Sequence, residues 1–458
     1  MKRPSRLLKE AKRLICLKSV TTESNRAIAF HVGTLLKKEG FQVRYQVRKV
    51  EGVPFYNVIG RKGEGNSPLI LMTHLDTVPP GPHRLWTKTK KDPWNPIVEG
   101  DRIYGLGSAD TKLDILAKIF ASTGIPHASL KRPLMIVGTF GEERGLLGAR
   151  IFCERMKGFK GIAFVSEPSE LKSVHGHRGY VVLEISIPLQ SVRRIQPAQL
   201  IYQLQAVGKS AHSSTPQKGR NAIRLAFEFL RKLSRQDTNL SLFWVEGGTS
   251  PNQVPAECTA LFSTSKKIPP HPFVKVEALK KHPRTLHSVP WKALSGLFKE
   301  IDEGIRKWRR SMASNVGVIN TENRRLKVLV DFRVHAKDKN HDVLHFFQKR
   351  IQNVLRHHGL HASFRIERDG PSLSVSPGSP ILRLARSASR KAGIPFRLAK
   401  KPSCTEAGYL LQKGIPAIVF GPGASFGNIH SPNEHNDLGQ LEKAGRFYRA
   451  LIEAYCLK

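Results

Sequence analysis

The sequence predicts an α/β protein in which a three-layer α/β/α domain is interrupted by a smaller α+β domain. Three observations predict it. Helices and strands alternate over residues 1–178, half-exposed alternating strands replace that rhythm over 179–369, and the first rhythm returns over 370–458. At 458 residues the chain is also too long for one ordinary core, so two domains are the natural expectation.

In chain order, 7–17 and 25–39 read as helices with apolar residues at helical spacing, and 41–47 as a strand. The β-rich runs 57–60 and 69–74 follow, then a loop over 78–100 rich in Pro, Trp and Lys. A helix over 114–123 leads to strands at 134–140 and 163–166. From 179 onward, 180–187 and 200–207 alternate like half-exposed antiparallel strands, with an amphipathic helix at 221–233 between them and further strands at 240–245, 258–263, 315–319 and 326–334. A helix at 342–357 and a strand at 362–367 close this unit. Residues 265–313, rich in Pro and Lys, read as an insertion with one helix at 291–309. Helices at 381–392, 405–412 and 440–454 and a strand at 417–420 complete the first domain.

Composition narrows the class. Apolar content is 40% with 29 Pro and 37 Gly, as in folded soluble proteins. No apolar run approaches the ~20 residues that span a bilayer, and the basic N-terminus lacks the apolar core of a secretory signal. Five scattered cysteines, none in a CxxC pair, argue for reduced thiols in a cytoplasmic protein and against a Cys-ligated metal. The charge of +39, from 75 Lys+Arg against 36 Asp+Glu, attracts anions. The basic residues are nevertheless spread along the chain without a nucleic-acid-binding motif. Non-specific nucleic-acid binding is thus compatible with the charge but is not predicted as the function, and a polyanion-binding protein on the same fold is the non-enzymatic alternative.

Groups able to do chemistry gather at strand ends. Thr73-His74-Leu75-Asp76 closes an apolar run, and residues two apart on a strand share a face, so Asp76 is placed to hydrogen-bond the His74 ring. Asp110, in Gly105-Leu106-Gly107-Ser108-Ala109-Asp110, reads either as a helix N-cap or as a carboxylate able to bridge two cations. Glu142 and Glu143 follow a strand, where one acid can bind metal while its neighbour serves as general base. Glu167 closes the next strand, and His430 sits in a Gly-rich loop ending in Ser431-Pro432-Asn433-Glu434. Imidazoles and carboxylates on rigid elements are the ligands of metal-activated hydrolysis.

Taken together, these motifs resemble the aminoacylase, acetylornithine deacetylase, succinyl-diaminopimelate desuccinylase and carboxypeptidase G family of di-zinc hydrolases, over residues from about 10 to 455. The resemblance implies a zinc-peptidase-like α/β/α catalytic domain and an α+β lid/dimerisation domain. It implies two Zn2+ ions, with Co2+ or Mn2+ as substitutes. Asp110 bridges them; His74 and Glu167 complete one site, Glu143 and His430 the other. Glu142 is the general base and Asp76 orients His74. In the lid, the segment around His212 resembles one that supplies a histidine to the scissile carbonyl, and Asn252 and Arg333 resemble holders of the substrate carboxylate. Ser403-Cys404-Thr405-Glu406-Ala407 resembles the acetylornithine deacetylase branch, with Glu406 at a substrate position where many relatives carry aspartate. Gly141 stands where the family usually has Asp, and Leu113 where it often has Gly. The implied substrate is an acyl-amino acid or a short peptide, and the implied assembly a homodimer through the lid. A di- or tripeptidase or a succinyl-diaminopimelate desuccinylase are the enzymatic alternatives.

Overall fold

Leu69–His74 is apolar through Met72 because both faces of this strand are covered, and all six residues are buried. It lies between Leu134–Thr139 and Ile162–Val165, parallel to both. A central parallel strand of this kind reads as a continuous apolar run rather than an alternation. The computed structural model describes residues 5–156, 158–192, 200–279 and 286–458, and it divides into two compact units: Met1–His177 with Leu373–Lys458, and Arg178–Ser372.

In the first unit, and among the described residues, the sheet runs in the order Gln42–Val50, Val53–Lys62, Leu134–Thr139, Leu69–His74, Ile162–Val165, Ala417–Val419, Ser173–His177, Leu373–Ser374, with Leu398–Lys401 paired to Ser173–His177. One hydrophobic core joins it to the helices, among them Arg26–Lys38, Asp114–Ala121 and Leu438–Tyr455. The carboxyl ends of the parallel strands lie level, with His74 opposite Thr139 and Met72 opposite Val165. The segments leaving those ends carry Asp76, Glu142, Glu143 and Glu167, and this edge of an open α/β sheet is where ligands bind.

Beneath that edge a buried network fixes the strand ends. Lys118 on Asp114–Ala121 donates to the Met72 carbonyl at 2.5 Å, to Thr73 Oγ1 at 2.8 Å and to Ser166 Oγ. Asp114 pairs with Lys118 at 3.4 Å and accepts from Tyr448 Oη at 2.7 Å. Burial lowers Lys118 to about 8, with Asp114 opposing the fall.

The second unit is an antiparallel sheet. Its order among the described residues is Val274–Ala278, Ile201–Val207, Glu257–Ser263, Ser241–Gly247, Ala313–Glu322, Arg325–Val334, Gly179–Pro188, Ser363–Gly370. Residues 265–313, expected as an insertion with a helix alone, are part of this unit's framework. Val274–Ala278 adds the edge strand, and Trp291–Lys307 buries Trp291, Leu294, Leu297, Phe298 and Ile301, the spacing of one helical face. Residues 280–285 of that segment lie outside the described ones.

Several short elements were not expected. The 78–100 loop ends in a strand, Ile97–Glu99, which pairs with Arg102–Tyr104, itself paired with His435–Asp437. The helix Leu147–Glu154 and the strands Ser173–His177 and Leu398–Lys401 are also new. Each is too short or too polar to leave a periodic signature. Among the described residues, no helix is long and apolar enough to cross a membrane.

Candidate metal centre

Seven of the predicted residues belong to the first unit's strand-end edge. His74 is buried there, and its Nε2 lies 3.2 Å from Asp110 Oδ1. Its Nδ1 lies 3.1 Å from the main-chain carbonyl of Asp76, an oxygen that can only accept. That contact keeps a proton on Nδ1 and turns Nε2 toward Asp110 and the site. The expected orienting bond from the Asp76 side chain is therefore corrected: its carboxylate is 3.8 Å from Nδ1 and instead accepts from the amides of Glu142 at 3.1 Å and Glu143 at 3.2 Å. Asp76 still serves the site, by holding the turn that carries both glutamates.

Asp110 presents its two oxygens to two different imidazoles, Oδ1 to His74 and Oδ2 to His430 Nε2 at 3.1 Å. The same His430 nitrogen lies 3.0 Å from Glu143 Oε1. Among the described residues, Asp110, Glu143 and His430 are the set of three whose ligand atoms all lie within 4.8 Å of one another. This donor set fits a divalent cation. Burial opposes charge on His430, yet the hydrogen bonds it donates to Asp110 and Glu143 push it up to about 11. Burial likewise opposes charge on His74, and Asp110, Glu142 and Asp76 pull it well above its usual value. Both shifts mark a place that favours positive charge.

Glu142 is half-buried beside this set; desolvation, then Glu167 and Glu143, raise its pKa well above the ordinary carboxylate range. Glu167 follows the strand Ile162–Val165, and its Oε2 is paired with Lys401 Nζ. His430 is held in the left-handed region at φ 55°. Asn428 clamps its loop, donating to the Ala424 and His435 carbonyls at 3.1 and 2.8 Å and accepting from the His435 amide at 3.0 Å. Gly421 opens the same loop where an added Cβ would lie 2.6 Å from the Glu167 carbonyl, so the close approach requires glycine.

The sequence model of peptidase family M20/M25/M40 matches residues 70–454. The chain belongs to this peptidase family. Among its curated relatives, an acetylornithine deacetylase from Photorhabdus laumondii is 30% identical over 252 residues, 52% of this chain and 59% of the relative. An acetylornithine deacetylase from Proteus mirabilis is 32% identical over 215 residues, 47% of this chain and 49% of the relative. The chain spans about half the length of the curated relatives it matches. The solved aminoacylhistidine dipeptidase of Vibrio alginolyticus has a similar fold, with a TM-score of 0.67 at 18% identity over 99% of this chain and 97% of that one. An M20 family metallo-carboxypeptidase from Sulfolobus solfataricus gives a TM-score of 0.61 at 16% identity, over 99% of each chain.

In this M20/M25/M40 family member, three further predicted residues, His212, Asn252 and Arg333, lie in the second unit. His212 is exposed, and its Nδ1 accepts from the Ser214 amide at 3.1 Å, which puts the ring proton on Nε2. Partial desolvation of the ring and the nearby Arg333 charge lower its pKa, so the ring is a neutral N–H donor at neutral pH. Asn252 is exposed, with its Oδ1 accepting from Ser250 Oγ at 2.5 Å. Arg333 differs from expectation. It is 4% exposed, donates to Ser213 Oγ at 2.8 Å and Asp331 Oδ2 at 3.0 Å, and stacks 3.8 Å from the Tyr180 ring centroid. Arg333 holds the His212 loop through Ser213 and pairs with Asp331, and its buried Nε has no hydrogen-bond partner among the described residues.

Glu406 also differs. It is 1% exposed at the start of the helix Ala407–Gln412, and burial raises it to about 7. Neither of its oxygens makes a well-formed hydrogen bond, and Thr139 offers only a weak one. Two functional groups escaped sequence reasoning altogether. Glu434, four residues after His430, accepts from the amides of Gly107, Ala109 and Asp110 at 3.0, 2.9 and 3.0 Å. Its place after the histidine was the available signal. Lys401 sits among surface lysines in a four-residue strand and carried none.

Proposed function

We propose that this chain is a zinc-dependent amidohydrolase that cleaves the amide bond of an N-acyl amino acid, in the manner of an acetylornithine deacetylase. The single observation carrying the reading is Asp110, with one oxygen on each of two imidazoles and a half-buried Glu142 alongside. The names of the curated relatives support the substrate class. Asp110, Glu143 and His430 would hold one Zn2+, and His74 and Asp110, with Glu167, a second. A divalent cation so held supplies a Lewis acid that polarises the amide carbonyl and acidifies water.

The chain's own residues do the rest. Glu142, whose pKa is raised by burial and by its neighbouring acids, takes the proton of the attacking water and hands it to the departing amine. Asp76 fixes the main chain of that glutamate so the carboxylate does not drift. His212, neutral with its proton on Nε2, donates to the oxygen on which negative charge develops. A homodimer through the second unit and a cytoplasmic location complete the proposal. A dipeptide is itself an N-acyl amino acid, so the same groups would serve a dipeptidase.

The test is a zinc-loaded screen against N-acetylornithine, N-succinyl-diaminopimelate and simple dipeptides, with Glu142→Ala as control. The expected result is turnover of N-acetylornithine above the others, and a Glu142→Ala protein that keeps its metal but loses turnover. Near-normal activity of that variant would remove Glu142 from the mechanism.

A further inference from the structure

The lysine beside the metal centre has no part in the chemistry above. Leu398–Lys401 runs parallel to Ser173–His177, with Lys401 opposite His177. Strand alternation turns Lys400 to solvent and Lys401 inward. Its Nζ meets Glu167 Oε2, the two side chains being 13% and 7% exposed. Lys401 also lies near enough to Asp110 and Glu142 to feel both charges. Glu167 meanwhile stands apart from the ligand set: among the described residues, it does not join any trio of ligand atoms within 4.8 Å of one another. One cation position is thus assembled, and the carboxylate of the other is engaged by an ammonium.

We propose that Lys401 is a built-in competitor for the second cation. The centre holds one divalent ion firmly at Asp110, Glu143 and His430, and admits another only by displacing Lys401 from Glu167. The geometry supports this: the Glu167 carboxylate that a second cation would need already holds the Lys401 ammonium, and an ammonium and a divalent ion on one shielded carboxylate repel.

This inference rests on the metal-centre reading, and the test separates the two. Zinc binding to the chelator-stripped full chain is followed by equilibrium dialysis with elemental analysis, with cobalt absorption spectra as a second readout. The expected wild-type result is one tight ion and a second that is weaker. Removing a charge-assisted partner of Glu167 by Lys401→Met should tighten the second ion about tenfold or more and leave the first unchanged. Lys401→Gln should move in the same direction, and Lys401→Arg, which keeps the charge, should retain the wild-type gap. Unchanged or weakened second-ion binding in both neutral variants would overturn the role of Lys401. His430→Ala should abolish the tight ion. If it does not, the metal-centre reading itself fails, whatever Lys401 does.

Discussion

Glu434 provides the sharpest test of how the centre is held. It is 1% exposed, and its carboxylate gathers the amides of Gly107, Ala109 and Asp110, the turn that delivers the bridging aspartate. Hydrogen bonds to a charged group contribute about 1.5–3 kcal/mol each, so three amount to about 5–9 kcal/mol before costs. Burial and the Asp110 charge outweigh these amides and lift Glu434 from 4.5 to about 7, which corresponds to about 3 kcal/mol against the charged form with the amides already included. Glu434→Ala leaves three main-chain donors without their acceptor, and the expected loss of folding stability is about 2–5 kcal/mol, as for a broken buried hydrogen-bond network. Glu434→Gln keeps one acceptor oxygen and should lose about half as much. Groups that orient a ligand from behind typically change metal affinity by about 10–100-fold, so zinc binding should weaken by that order in the alanine variant. Urea unfolding of the metal-free protein and zinc titration measure the two effects. Wild-type values of both in Glu434→Ala would refute the reasoning.

Other groups give further expectations. The folded-state pKa of Glu406 is raised to about 7 from 4.5, so its contribution is fully present below pH 4.5 and is lost as pH rises through 7; Glu406→Gln should flatten that slope and stabilise the metal-free protein at pH 8 by about 1–3 kcal/mol in urea unfolding. Arg333→Met leaves the buried Asp331 without its counter-charge and should lower stability by about 3–5 kcal/mol, whereas an arginine serving substrate alone would change KM and leave unfolding untouched. Burial pushes Cys153, Cys258 and Cys456 up to about 12 and leaves Cys16 exposed, so iodoacetamide at pH 8 should label Cys16 rapidly and those three only after denaturation, as peptide mass mapping would record.

What could be read from sequence follows the strength of each local signal. The central strands were legible because burial on both faces turns Leu69–His74 and Leu134–Thr139 into unbroken apolar runs. The acids and histidines that follow such runs were legible for the same reason, since a polar group closing a buried strand is conspicuous. What could not be read were partnerships. Asp76 was placed beside His74 by strand periodicity, but its carboxylate went to the amides of the Glu142 turn, a contact between residues 66 and 67 positions apart. Arg333 likewise has partners that the sequence did not announce: alternation along its strand put it on a face with Asp331, and its Nη2 donates to that carboxylate and to Ser213. Leu398–Lys401 is four residues long and half lysine, so nothing distinguished its inward lysine from its outward one.

These cases share a cause that bears on how the centre works. A buried carboxylate cluster must be balanced by positive charge or by aligned amides, and this chain uses each device for a different acid. Asp110 takes imidazoles on its side chain and has its main chain gathered by Glu434. Asp76 takes two amides, and Glu167 takes an ammonium. Among the described residues Glu142 has no such partner on its side chain, and desolvation, then the Glu167 and Glu143 charges, raise its pKa against the pull of His74. A group kept ready to accept and release a proton near neutral pH requires that environment. The balancing of its neighbours is therefore part of the proposed mechanism: each donor spent on Asp76, Asp110 or Glu167 is one that does not quench the base.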